Sequence, residues 1–382
     1  MKFTVLNLIT IFFFTHAFAQ QTAKADDALL LEYYQTQRFA EAADYLKKTY
    51  PEPVTDTKVL ARLAYTSQMA SKLADAEGYY QRIYDSDSTN TTVLFNLGAI
   101  NIRRGNSLKA EIYYKKIIGC DTTNFMVYKQ LANISMDKGD QAAQLSFLRK
   151  ANQLNPAEPD VASDLSDAYV NLKQFSLAET ILDEAITQDP ENAVLLLSML
   201  KLVYVQNKWE ETKSTCIKLL QLGNHSGYVL TKLQVAYYNL HDYRCCLETM
   251  AEISEMERTE TNFYITALAY KELKDQPNAI ENFMKAVNAG ISPNIGDYYS
   301  EIGNSYETLS KFKKAAFSYQ KGLEFDEKPI TYYLLATLYD SEIKNKKMAL
   351  SYYKKYLAAK TPAKEEKYKV YAQSRVGILS RH

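Results

Sequence analysis

Three aspartates have the spacing that comes closest to a reactive site in this chain. Asp160, Asp164 and Asp167 are four and three residues apart, so a helix would place their carboxylates on one side. Carboxylates arranged in this way could bind a cation, and an enzyme could be built on such an acidic patch. A solvated acidic stripe on a surface helix has the same pattern, and we favour that interpretation.

The other reactive side chains have no suitable neighbours in the sequence. Apart from His16, the histidines are His225, His241 and His382, and none has a ligand-type residue at metal-binding spacing. The chain also lacks the G-x-S-x-G, phosphate-binding glycine-loop and H-E-x-x-H motifs. We therefore predict no catalytic residues, no metal site and no cofactor, and a protein that is not an enzyme.

One position, mostly occupied by alanine, recurs along the chain with a period close to 34 residues. The successive spacings are 34 six times, then 33, 36 and 34. A period of this length is typical of stacked supersecondary units and not of a single enzyme core. The ten positions are Ala42, Ala76, Ala110, Gln144, Ala178, Thr212, Cys246, Ala279, Ala315 and Ala349.

Each repeat contains two apolar stripes with helical spacing, and a short turn containing, for example, Gly105 or Gly139 separates them. This pattern predicts two antiparallel helices, A and then B. The small residue on each helix lets the two backbones approach, and a larger one such as Tyr114 fills the space one turn later. Pro156 and Pro190 lie where helix B must stop, and polar residues before the next helix A can cap it. In the third repeat the stripes are Leu94, Leu97, Gly98 and Asn101, then Ala110, Tyr114, Ile117 and Ile118.

This pattern resembles the tetratricopeptide repeat family, whose signature is W-x2-L-G-x2-Y, then A-x3-F, then P. The resemblance covers about residues 23–360 and implies an all-α fold, a right-handed α-solenoid of about ten helix pairs. It also implies a non-catalytic scaffold that binds a protein or peptide segment. Gln144, Thr212 and Cys246 depart from the pattern at the small position. The matching residues are Leu97-Gly98; Tyr169, Ala178, Leu182 and Pro190; and Gly303, Tyr306, Phe312, Ala315 and Tyr319.

The N-terminus is typical of a secretory signal peptide, which we assign to residues 1–19. Lys2 precedes an apolar run over residues 3–14, and Ala17-Phe18-Ala19 forms a small-residue cleavage site. A membrane anchor is the alternative, but the run is shorter than a membrane-spanning helix. We therefore expect an exported protein with no integral membrane segment after cleavage. Its composition resembles that of exported repeat proteins from Gram-negative bacteria, which favours the periplasm over the extracellular space.

Charge is unevenly distributed along the chain. The mature chain would carry 44 basic and 45 acidic side chains, which argues against nucleic acid as the main partner. From Lys344 onwards, however, there are 11 basic and two acidic residues. This basic end could dock on an acidic or anionic membrane surface, but we favour a solvated capping helix over residues 361–382, with Thr361 and Pro362 at its start. Its apolar stripe is Tyr368, Tyr371, Ala372, Val376 and Leu379.

Export would permit disulfides among the four cysteines. Cys216 and Cys246 nevertheless fall at helix-core positions of the repeat, where a free thiol behaves as a small apolar group. Cys245 and Cys246 are adjacent, so a bridge between them would be strained. We favour unbridged thiols.

The A helices should line one surface of residues 20–360, the predicted repeat array, and supply a peptide-binding groove. The side of helix A next to its core stripe carries many large apolar residues, which suit an extended peptide or a helix. Alternatively, these rings pack between neighbouring A helices. The preferred function is a scaffold or adaptor in the cell envelope, and the alternative is a helical subunit of an envelope enzyme or transport system. The candidate groove residues are Tyr65, Phe95, Lys129, Asn133, Tyr204, Tyr238 and Tyr264.

Overall fold

The computed structural model describes residues 24–290, 293–362 and 365–381. Over these ranges the chain forms 21 α-helices, one short 3-10 turn at Glu255–Glu257 and no β-strand. The first 20 helices form ten consecutive helix–turn–helix pairs, and the last helix follows them singly. The predicted all-α solenoid class is therefore confirmed. The predicted signal peptide, residues 1–19, lies outside the described residues.

The chain divides into two compact units, the first ending at Asn155 and the second beginning at Pro156. In each pair the first helix along the chain is the A helix and the second is its B partner. The first unit contains α1 (Asp27–Gln35), α2 (Phe39–Thr49), α3 (Thr57–Met69), α4 (Leu73–Ser86), α5 (Thr91–Arg103), α6 (Ser107–Cys120), α7 (Phe125–Asp137) and α8 (Gln141–Leu154).

The second unit contains the remaining six pairs and the final helix. The pairs are α9 (Pro159–Asn171), α10 (Phe175–Gln188), α11 (Ala193–Val205), α12 (Trp209–Gln221), α13 (Gly227–Asn239), α14 (Tyr243–Glu252), α15 (Glu260–Glu272), α16 (Gln276–Ala289), α17 (Ile295–Thr308), α18 (Phe312–Phe325), α19 (Pro329–Ser341) and α20 (Lys346–Ala358). The final helix is α21 (Glu366–Leu379).

The recurring small position lies at the contact between the two helices of a pair. All seven alanines, Thr212 and Cys246 are fully buried there, whereas Gln144 is half-buried. The neighbouring glycine on helix A is matched to a large side chain on helix B. A Cβ atom at Gly98 would lie 2.6 Å from Cε1 of Tyr114, and one at Gly303 would lie 2.6 Å from Cε1 of Tyr319. The predicted alternation of small and large residues is therefore confirmed.

Every A–B turn contains one residue in the left-handed region of backbone conformation. In the third pair this residue is Gly105, with φ of 75°, and its N–H donates to Ile102 O at 2.9 Å. The next N–H, of Asn106, donates to Asn101 O at 2.8 Å, which completes a Schellman motif. The left-handed residue always precedes the recurring small residue by five positions. The ten are Gln37, Ser71, Gly105, Gly139, Lys173, Asn207, His241, Lys274, Ser310 and Lys344.

The connections from helix B to the next helix A follow the sequence prediction. Pro156 and Pro190 come shortly after the ends of α8 and α10. Asn192 caps α11, because its side chain accepts from the backbone N–H groups of Val194 at 3.0 Å and Leu195 at 3.3 Å. Such side chains satisfy backbone donors that have no partner within the helix.

The final helix covers the last pair, but it begins later than the sequence pattern suggests. It starts at Glu366, while Thr361 and Pro362 lie before it. The N–H of Glu365 donates to Pro362 O at 3.0 Å, immediately before this helix. Of the predicted stripe, Ala372 and Leu379 are buried, whereas Tyr371 is 47% exposed.

An ion pair that the sequence pattern did not indicate also joins α21 to α19. Arg375 donates from Nε to Oδ2 of Asp340 at 2.6 Å and from Nη2 to Oδ1 at 2.7 Å. Tyr353 of α20 donates its hydroxyl to the same carboxylate at 3.3 Å. Only 9% of the Asp340 side chain is exposed, against 28% of the Arg375 side chain. The three side chains thus connect three helices around one largely buried carboxylate.

All four cysteines are free, and Cys216 and Cys246 are buried. Burial raises the pKa of both of these thiols to about 12. They therefore stay protonated and pack as small apolar groups. Among the described residues, no helix combines the length and the apolar character that a membrane span requires.

Candidate binding surfaces

The seven candidate groove residues all lie on A helices, but they belong to two separate units. Tyr65, Phe95, Lys129 and Asn133 lie in the first unit, and Tyr204, Tyr238 and Tyr264 lie in the second. Tyr65 is 47% exposed. The other six side chains are half-buried. Each unit therefore contains its own candidate residues.

In the first unit, α1 and α3 form an open pocket of about 420 Å³, which we call the unit-1 pocket. Leu31, with 55% of its surface exposed, and Tyr65 lie at this pocket. The rings of Tyr34 and Tyr65 meet edge to face, with centroids 6.1 Å apart. At one side Arg62 pairs with Asp27 at 2.7 Å. The pocket is lined by Asp27, Leu30, Leu31, Tyr34, Ala61, Arg62 and Tyr65.

The other candidates of the first unit are less accessible. The Phe95 ring packs against Tyr114, with centroids 5.7 Å apart, and belongs to the hydrophobic core around α5 and α6. Lys129 and Asn133 lie one turn apart on α7, and both are half-buried. Phe95 therefore stabilises its own helix pair, and Tyr65 is the candidate best placed to contact a ligand in this unit.

In the second unit, two of the predicted groove tyrosines pack across the turn of their own helix pair. Tyr204 meets Trp209 with centroids 5.7 Å apart, and Tyr238 meets Tyr243 at 5.8 Å. Burial raises the pKa of Tyr238 to about 12 and that of Tyr204 in the same direction. Each of these two rings therefore stabilises its own helix pair, and only part of it is accessible on the A-helix surface.

The same surface contains two residues that the sequence analysis missed. The Nζ atom of Lys232 lies 3.6 Å from the ring centroid of Tyr204 and 5.4 Å from that of Tyr228. Tyr228 is 45% exposed. We call Tyr204, Tyr228 and Lys232 the unit-2 aromatic surface. The signal in the sequence was a tyrosine followed by a lysine four residues later on helix A, a spacing that puts both on one side.

Burial lowers the pKa of Lys232, because the half-buried ammonium has lost part of its hydration. Contact with two aromatic faces offsets part of that loss, since the ring face is electron-rich. None of the ion pairs found among the described residues includes Lys232. The surface thus displays a positive charge whose partners are rings.

The acidic patch on α9 is partly neutralised. Oδ2 of Asp167 lies 2.9 Å from Nζ of Lys201 on α11. Across the parts of the chain that the structure describes, no group of His, Cys, Asp and Glu side chains could hold a metal ion. Asp167 therefore acts as the partner of a lysine on the neighbouring A helix.

Tyr264 lies at a different, more polar pocket of about 430 Å³. Its ring contacts Tyr298 of α17, with centroids 4.8 Å apart, and the hydroxyl of Tyr298 donates to Glu260. Asp297 lines the same pocket. The carboxylates of Glu260 and Asp297 make this pocket more polar than the unit-1 pocket.

Part of the basic C-terminal end is used for packing within the second unit. Arg375 is paired with Asp340, as described above, and Lys369 lies 3.7 Å from Glu366. The Nζ atom of Lys355 lies 5.4 Å from the ring centroid of Tyr332. Of these contacts, the Arg375–Asp340 pair joins α21 to α19, the Lys369–Glu366 pair lies within α21, and the Lys355–Tyr332 contact joins α20 to α19.

Comparison with known proteins gives two matches to family models described as tetratricopeptide repeat, over residues 134–202 and residues 296–329. Among solved structures, the C-terminal part of a repeat-containing protein from Cytophaga hutchinsonii is 15% identical, with 71% of this chain and 98% of that chain covered and a TM-score of 0.47. A tetratricopeptide repeat protein from Parabacteroides merdae is 16% identical, with 63% and 96% covered and a TM-score of 0.44. The structure of pilF from Pseudomonas aeruginosa is 23% identical, with 51% of this chain and 89% of that chain covered and a TM-score of 0.43.

A search of curated proteins found no match. The low identities and TM-scores of the solved structures mean that none of them indicates what this chain binds. The first family-model match contains α8, α9 and α10, and the second coincides with the α17–α18 pair. Residues 134–202 and 296–329 are therefore similar to tetratricopeptide repeats.

Proposed function

We propose that this chain is a non-catalytic scaffold that binds a segment of another protein on its A-helix surfaces. Tetratricopeptide repeat proteins are generally protein-interaction scaffolds, which supports the broad class. The observation that carries the proposal for this chain is the unit-1 pocket. It is open, it lies between two A helices, and exposed apolar side chains line it.

The properties of the pocket suit an apolar side chain from a bound segment. Its volume of about 420 Å³ falls in the range of ligand sites, and Leu31 and Tyr65 supply apolar contacts. The Asp27–Arg62 pair at its side offers polar groups that can orient the peptide backbone. Tyrosine is often a dominant contact in protein interfaces, so Tyr65→Ala should weaken binding by about 1–3 kcal/mol.

Site-specific photo-crosslinking in the native cell tests this proposal. A benzophenone amino acid at position 31 or 65 should give discrete crosslinked products with a partner protein. The matched controls are positions 108 and 112, because Leu108 and Ile112 are also exposed apolar residues of the first unit but lie on the B helix α6. Tyr65→Ala should reduce the product formed from position 31.

Two results would contradict a binding surface on the A helices. One is that positions 108 and 112 give the products and positions 31 and 65 do not. The other is that all four positions give the same products in equal amount, as random collision would. A partner bound through B helices would follow from the first result.

Export to the cell envelope, with the periplasm favoured, is the second part of the proposal. It is supported by Lys2, the apolar run over residues 3–14 and the small residues Ala17 and Ala19. Mass spectrometry of the N-terminal peptide of the protein purified from its native cells should show a chain that begins at Gln20, in a fraction outside the cytoplasm. Recovery of a chain that retains Met1 in the cytoplasmic fraction would overturn this part.

A further inference from the structure

Lys232 lies on the unit-2 aromatic surface in a setting that is unusual for a lysine. Its Nζ atom lies 3.6 Å from the centroid of Tyr204 and 5.4 Å from that of Tyr228, and the side chain is half-buried. The other two lysines on the A helices of the second unit each pair with a carboxylate, Lys201 with Asp167 and Lys271 with Glu301. The ammonium of Lys232 instead contacts the rings of Tyr204 and Tyr228.

The groups around Lys232 leave a net positive charge on this surface. Asp167 is close enough to Tyr228 to influence its pKa, but its charge is balanced by Lys201 at 2.9 Å. Cys216 lies beneath α13, and burial keeps its thiol neutral at physiological pH. The half-buried ammonium of Lys232 therefore lacks a full opposing charge.

We propose that Lys232 binds the carboxylate of an acidic side chain in a partner protein, while an apolar neighbour of that residue rests on Tyr228. The proposal depends on the proposed scaffold function and adds a second surface with a defined ligand chemistry. A carboxylate that covers the ammonium displaces water from it, and an ion pair that excludes water is stronger than one on an open surface. The aromatic rings hold the ammonium in place before the ligand arrives, so little side-chain freedom is lost on binding.

An acidic peptide fits this surface better than a phosphate or a nucleic acid. A phosphate group needs several donors, and here a single ammonium is presented between two rings. The exposed half of Tyr228 offers an apolar contact next to that charge. An extended peptide supplies both features, an acidic residue and an apolar one, at neighbouring positions.

The probe is a fluorescein-labelled random copolymer of glutamate and tyrosine, whose binding to the full mature chain is followed by fluorescence anisotropy. Polyglutamate and a copolymer of lysine and tyrosine serve as comparison probes. Lys232→Met keeps the apolar stem between the rings and removes the charge. Lys313→Met is the matched control, because it removes the charge of an exposed lysine on α18 of the same unit.

We expect the glutamate–tyrosine copolymer to bind, Lys232→Met to weaken its affinity about tenfold, and Lys313→Met to change it by less than about twofold. Polyglutamate should bind more weakly than the copolymer. The affinity of the Lys232→Met variant should also fall less steeply with salt concentration, since one charge contact is missing. Tighter binding of the lysine–tyrosine copolymer, or equal effects of the two variants, would overturn the proposal.

A measurement on the unaltered sequence covers the case in which Lys232→Met fails to fold. Reductive ¹³C-methylation of lysines gives one NMR signal per side chain, and the Lys232 signal should be shifted by the ring currents of Tyr204 and Tyr228. Addition of the glutamate–tyrosine copolymer should move that signal before the other lysine signals. If it stays fixed while crosslinking at the unit-1 pocket succeeds, the acidic-ligand inference fails and the scaffold function stands.

Discussion

Replacement of Arg375 by alanine is expected to lower the free energy of unfolding of the C-terminal end of the chain by roughly 2–4 kcal/mol. The change removes both donors that hold Asp340, at 2.6 and 2.7 Å, and leaves a carboxylate that is only 9% exposed. The hydroxyl of Tyr353 remains as a single, longer contact. A buried charge without its partner is the costly outcome, and α21 should detach to relieve it.

Hydrogen exchange is the appropriate measurement, because helix arrays do not always unfold in one step. Amides of α21 and α20 should lose protection in the Arg375→Ala protein, while those of α11 and α12 keep it. Arg381→Ala is the matched control, since it also removes one arginine charge but from an exposed residue. Equal loss of protection in both variants would mean that charge alone, and not the pair with Asp340, explains the effect.

Replacement of Gly98 by alanine is expected to destabilise the first unit by about 1–3 kcal/mol. The new Cβ atom would lie 2.6 Å from Cε1 and 2.7 Å from Cζ of Tyr114, so the ring must leave its buried position between α5 and α6. A substitution that normally favours a helix thus becomes unfavourable here. Thermal unfolding followed by circular dichroism provides the measurement.

Two further variants separate this collision from a general effect of glycine. Gly78 lies on α4, and no atom lies within 4 Å of the position that its Cβ would take, so Gly78→Ala should stabilise by up to about 1 kcal/mol. Tyr114→Leu should restore much of the loss caused by Gly98→Ala, because α7 and α8 combine Ala132 with Leu148 at these positions. Strictly additive changes in the double variant would show that the two side chains do not compete for space.

Much of the fold could be predicted because the repeat pattern is a packing pattern. The recurring small position had to lie between two helices, and Ala178, Thr212 and Cys246 are all fully buried there. Helix ends followed from capping residues such as Asn192. The division at residue 155 could not be predicted, since the pattern continues across it without change. The turn conformation was also missed, because eight of its ten residues are not glycine.

The binding surfaces were harder to predict, because exposure depends on neighbours that periodicity does not reveal. Tyr65 and Phe95 occupy similar sides of their A helices, yet Tyr65 is exposed and Phe95 packs on Tyr114. Lys232 belongs to a side of α13 that the stripe rule assigned to neither core nor groove. Its importance comes from Tyr204, which is distant in sequence and belongs to the preceding A helix. Arg375 was missed for the same reason.

The fixed interval between the left-handed turn residue and the recurring small residue bears on how such a chain can change length during evolution. The interval is five in every pair, although the pairs themselves are spaced by 33 to 36 residues. The differences in repeat spacing therefore lie outside this interval, and the position of the small residue relative to the turn is the same in every hairpin. An insertion in a connection between two pairs would therefore leave the alignment of the two helices within each pair unchanged.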